Sequence, residues 1–151
     1  MSSFEMSFED LLIGLNKLTP SQQPVWGEMS SQRMVEHLSE MLRMAQGTTL
    51  FTLSIPEDKV AKMQEFLYSD KEMAKNIAVD IAPADRELKN DELELAIDEF
   101  TEEWINFIDF FEGNPGVKTM HPFYGYLDFD LWMLMHKKHF YHHFKQFQLA
   151  E

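Results

Sequence analysis

The chain has 151 residues, no cysteine, a net charge of −13 and a sequence pI of about 4.8. That length suits one domain spanning residues 1–151; the missing thiols exclude disulfides and thiolate metal sites, and the acidic balance argues against nucleic acid as a partner. No apolar run reaches the ~20 residues that span a bilayer, and MSSFEMSFED lacks the basic and apolar regions of a signal peptide, so no membrane partner and a cytoplasmic location are expected.

The first apolar stripe, Phe8, Leu11, Leu12 and Leu15, stops at Thr19-Pro20 and predicts a helix over 5–18. A Pro-containing loop over 20–27 leads into a second helix over 30–46, which Ser30 or Ser31 caps and Gly47 ends. Its buried stripe is Met34, Leu38, Met41 and Ala45. His37 lies about 40° to one side of Met41, at the flank of that stripe, from where it can point inward. A lone histidine there is ordinarily a core or half-exposed residue. Residues 48–55, TTLFTLSI, read as an extended connector, and Pro56 with Glu57 and Asp58 starts a short helix that ends near Ser69. From Lys71 to Asn90 the periodicity fades around Pro83, which predicts a long surface connection with room for a lid.

Leu93, Ile97, Phe100, Trp104, Phe107, Ile108 and Phe111 form one stripe and predict a helix over 91–112. Between Asp85 and Glu112 stand eleven acidic residues against Arg86 and Lys89, the pattern of a solvated face. Gly113-Asn114-Pro115-Gly116 breaks that helix, and the loop VKTMHPFYGYL, with His121 as a candidate turn residue, leads to Asp128, the N-cap of a last helix over 128–148. Four long helices without a convincing sheet predict an all-α four-helix bundle with a long crossover connection. Trp26, Trp104 and Trp132 read as core residues rather than stacking platforms.

Five of the six histidines lie at or after position 121, four of them in the last helix. At about 100° per residue, Trp132, His136, His139, His143 and Gln146 fall within roughly 40° of one direction, and His142 about 80° off it. His139 and His143 are an i, i+4 pair, the spacing at which successive turns of one helix offer two ligands to the same ion. Capping of a helix C-terminus accounts for one or two of these residues. It does not account for three on one face together with a suitably placed histidine on another amphipathic helix.

The last helix, His136-x-x-His139-x-x-His142-His143-x-x-Gln146, resembles the signature of the DinB/YfiT-like superfamily of four-helix metal-binding proteins. Trp26-Gly27 followed by Met34 and His37, and His121-Pro122-Phe123-x-Gly125 before the last helix, resemble an uncharacterised bacterial branch of it. The resemblance implies His37, His139 and His143 as ligands of a divalent ion, and a homodimer. Phe144 and Lys145 depart from it, since many relatives carry Arg-Gly there.

Three imidazoles leave coordination positions open to water or substrate and suit zinc or nickel, with iron and manganese as alternatives. Without a carboxylate ligand the ion keeps its charge, which favours hydrolysis or activation of a thiolate. Glu36 adjoins His37 but points about 100° away from it, so His136 and Gln146 are the candidates for supporting catalytic groups, as second-shell or proton-relay residues, with His142 beside them. The function expected is a metal-dependent hydrolase, or a transferase joining a small-molecule substrate to a low-molecular-weight thiol. The alternative is a non-catalytic metal-binding or stress-related binding protein.

Overall fold

The computed structural model describes residues 7–75 and 83–151. Among them the fold is mostly helical, with five α-helices and one short antiparallel ribbon. Ser7 caps α1 (Phe8–Leu15), its side chain accepting from the Asp10 amide. This helix ends three residues before the expected limit of 18 because the chain tightens into bonds from Lys17 N to Gly14 O and from Leu18 N to Leu15 O, which keep Leu18 buried. Residues 5 and 6, where the helix was expected to start, lie outside the described residues.

Ser30 caps α2 (Ser31–Ala45) through a 3.0 Å bond from Arg33 N. Both its apolar stripe and its polar residues Arg33, Glu36 and His37 are buried, so α2 is enclosed rather than laid on a surface. A 3-10 turn, Glu57–Lys59, runs into α3 (Val60–Tyr68). The longest helix is α4 (Leu93–Gly113), and α5 (Phe129–Gln146) closes the chain, its first turn capped by Asp128 accepting from Leu131 N at 3.0 Å. α4 packs against α2 and α1, and α5 against α2 and α3, around a continuous core that includes Leu38, Phe100, Phe107, Trp132 and Phe140. No helix among the described residues is long and apolar enough to cross a membrane.

Three features differ from the sequence reading. The stretch before the last helix, expected as a loop, forms a ribbon of β1 (Thr119–His121) and β2 (Gly125–Leu127), with Thr119 opposite Leu127 and His121 opposite Gly125. Three-residue strands are too short to leave a readable alternation, and the ribbon is set by its turn. Gly125 has φ 77°, and a Cβ there would stand 2.8 Å from Val60 Cγ1, so this glycine both turns the chain and admits α3. The acidic face of α4 is not all solvated. Arg43 on α2 reaches Glu103 at 2.8 Å and Glu99 at 3.6 Å, drawing both carboxylates into the contact between the two helices. The described part of the long connection is likewise tied down: Glu36 accepts from the backbone N–H groups of Lys89 and Asn90 at 2.8 and 2.9 Å. The remainder of the expected lid region, 76–82, lies outside the described residues.

The ribbon is coupled to the helices by one hydroxyl. Thr119 Oγ1 donates to Ala45 O at the end of α2 (2.7 Å) and accepts from Trp132 Nε1 on α5 (2.8 Å). Thr119→Val keeps the shape and orphans both buried partners, so it should lower the unfolding free energy by about 1–3 kcal/mol in urea titration, with the m-value unchanged.

Candidate metal centre

Two helices bring three imidazoles together. His37 comes from the middle of α2, and His139 and His143 from successive turns of α5, where the i, i+4 spacing aims both rings the same way. His37 Nε2 lies 2.8 Å from His139 Nε2, and His143 Nε2 lies 3.0 Å from the same atom. The three ligand atoms all fall within 4.8 Å of one another, the rings meet edge to face, and all three residues are buried.

The hydrogen bonds behind the rings say which nitrogens carry lone pairs. Gln146 Nε2 donates to Trp26 O at 3.1 Å, which turns its Oε1 toward His143 Nδ1 at 2.7 Å. An amide oxygen only accepts, so the proton of neutral His143 sits on Nδ1 and its Nε2 presents a lone pair to the cluster. Behind His37, Nδ1 stands 3.8 Å from Glu40 Oε1, beyond hydrogen-bond range but within reach of the carboxylate's charge. That arrangement likewise favours a proton on Nδ1 and a lone pair on Nε2. His139 Nδ1 is buried without a partner among the described residues.

Burial, first of all, pushes the pKa of each of the three below 6.5, and at His139 and His143 the neighbouring imidazoles push it further down. The cluster is therefore neutral near pH 7. A single N–H can be directed into only one of the two close nitrogen contacts, which leaves the other as lone pair against lone pair. A cation between the rings satisfies all of them. In a tetrahedral zinc site, with Zn–N of about 2.0–2.1 Å, ligand nitrogens sit roughly 3.3 Å apart, within a few tenths of an ångström of the close pairs here. By donor type, spacing and lone-pair direction, the residues fit a divalent ion.

An ion-pair network stands behind His37. Arg33, 1% exposed, grips Glu40 with both guanidinium nitrogens at 3.1 and 2.9 Å, and Arg86 reaches the same carboxylate at 3.1 Å. Burial raises the Glu40 pKa, but the neighbouring His37 imidazole, the two bonds from Arg33 and the charges of Arg33 and Arg86 outweigh it and bring the group to about 2. These residues were not singled out from sequence. The signal was there, since positions 33, 37 and 40 share one helical face at i, i+4 and i+7.

The other candidates divide. Gln146 stands directly behind His143, holding its tautomer, and Trp26 and Gly27 (φ 77°) shape the loop that anchors it. His136 lies apart, fully buried among Phe107, Trp132 and Phe140, with neither ring nitrogen partnered among the described residues. His142 is not one of the three converging rings: its own ring leans on Trp26, with centroids 5.3 Å apart. His121 is a turn residue, Nδ1 accepting from Phe123 N at 3.1 Å, and burial holds its pKa down to about 3. It also lines a cavity of about 770 Å³ onto which His37, His139, His142 and His143 open.

A family profile matches residues 4–149, nearly the whole chain. The chain belongs to the DUF1569 family. That family is described as a protein of unknown function. Among curated proteins and among solved structures, no match is found for this DUF1569 chain.

Burial first, and the neighbouring His121 after it, lower the pKa of His136 from 6.5 to about 3. Between those values the unfolded chain takes up the proton and the folded chain does not, so stability falls as pH is lowered from about 6.5 towards 3. His136→Leu removes that share. Urea unfolding followed from about pH 6 to pH 4 should show a slope shallower than wild type by about 1 kcal/mol per pH unit.

Proposed function

We propose that the chain is a DinB/YfiT-like four-helix bundle, with α1, α2, α4 and α5 as its helices, that holds a divalent ion on His37, His139 and His143 and acts on a small-molecule substrate. Zinc and nickel are the metals this donor set suits best. The observation that carries the reading is the convergence of three neutral Nε2 atoms at the wall of a cavity of about 770 Å³. A storage or structural site has no need of such a space, whereas small-molecule sites commonly occupy about 300–1,000 Å³.

A divalent ion held there supplies a Lewis acid that stabilises the anion of a nucleophile. The chain's own residues do the rest. Gln146 keeps the proton of His143 on the far side of its ring, and the charge of Glu40 favours the same tautomer at His37, so their lone pairs face inward. The carboxylates lining the cavity, Glu65 and Glu72, are exposed, and Glu72 is paired with Lys145 at 2.7 Å. Neither is a buried general base. A divalent ion can activate either nucleophile, but a thiol ionises near pH 8.5 and water at about 15.7, so the ion has far less to supply for a thiol. Thiol-dependent transfer is therefore better supported than hydrolysis, and a low-molecular-weight thiol is the proposed co-substrate. The same proposal includes pairing of two copies, which would cover exposed apolar side chains such as Leu50 and Tyr126.

Protein purified without an affinity column should carry about one equivalent of metal by elemental analysis. His139→Ala and His143→Ala should lose it while keeping their helical circular dichroism, and His142→Ala should retain it. In a panel of thiol-transfer and ester-hydrolysis substrates, thiol-dependent turnover should appear and vanish with the metal. Loss of the ion in His142→Ala with retention in His139→Ala would refute the ligand assignment.

A further inference from the structure

We infer that the cavity beside the three histidines is a site for an anionic amphiphile: a small molecule with an apolar body and a carboxylate or thiolate head that reaches the histidine end. The head rests on the metal centre proposed above; the body rests on other residues. Met41 lies one helical turn beyond His37 on α2, and Met135 one turn before His139 on α5, and both line the same cavity as the histidines. At i, i+4 spacing each shares a helix face with its histidine, so the apolar wall runs continuously from the cluster along both helices. Met63 and Phe66 from α3 and Phe123 from the hairpin turn complete it.

Met41 and Met135 are buried, but Met63, Phe66 and Phe123 are only partly so, leaving apolar surface in contact with water at the cavity wall. An apolar body removes that surface from water. Methionine side chains are unbranched and polarisable and adapt to what they meet, so this wall selects for apolar area more than for one shape. Charge selection comes from the other end. Lys62 and Lys71 line the cavity along with Glu65 and Glu72, so the ionic side chains there carry both signs and cancel. The cluster contributes three imidazoles and no carboxylate, so a cation there keeps its charge and draws an anion.

The probes are straight-chain carboxylates of about four to ten carbons and the matching alcohols, titrated calorimetrically into full-length protein with and without zinc. Carboxylate affinity for the zinc-loaded protein should rise about four-fold per methylene until the cavity is full, and should exceed that of the alcohols. Met63→Gln should flatten this chain-length series while zinc binding stays as in wild type. Zinc bound with no dependence on chain length, or with a dependence unchanged in Met63→Gln, overturns the apolar body. If zinc does not bind, and acids and alcohols show the same chain-length dependence without it, the metal centre and the anionic head both fall while the apolar body stands.

Discussion

Three largely buried imidazoles converge so that two of them bring a nitrogen within hydrogen-bond distance of the third, and protons alone cannot satisfy them all. Desolvation keeps the rings uncharged, and the Gln146 amide and the Glu40 carboxylate lie behind two of them. Much of the rest of the fold makes that crowding tolerable. α2 must be enclosed for His37 to be buried, and an enclosed helix that also carries Arg33, Glu36 and Glu40 needs a partner for each charge. Arg33 and Arg86 supply them for Glu40, and the amides of Lys89 and Asn90 for Glu36. Removing one member of such a network costs more than the bond itself, because the partner left behind is a charge out of water.

The same arrangement explains why the site has an inside and an outside. The far sides of His37 and His143 face protein polar groups, and their Nε2 atoms face the cluster at the cavity wall. His142, one residue from His143, leans on Trp26 instead. One step along a helix is about 100°, and that rotation separates a residue of the cluster from one that only borders it.

The helices were legible because long apolar stripes at a period of 3.6 survive in α2, α4 and α5, with caps at Ser30 and Asp128 marking their starts. The pairing of His139 with His143, and Gln146 beside them, followed from helical angles alone. His37 needed the family resemblance, since nothing local distinguishes a half-buried histidine from one aimed at a residue 102 positions away. The ribbon escaped notice because strands of three residues carry no period. The Arg33–Glu40–Arg86 network escaped because charges on an amphipathic helix read as solvent-facing until the fold encloses them. Helical angle groups His136 with the cluster, but it stands one turn before His139 on α5, and at that height the neighbours are Phe107 and Trp132.

The contact between His37 and His139 closes a stretch of 102 residues, most of the chain, through a single point. A ligand that grips both ends ties the second helix to the last and binds the folded chain but not the disordered one, so folding and occupancy become one equilibrium. On the proposed reading, the amount of folded protein in a cell would follow the free concentration of its ion, and scarcity would be felt first as a loss of the protein rather than as a loss of its chemistry.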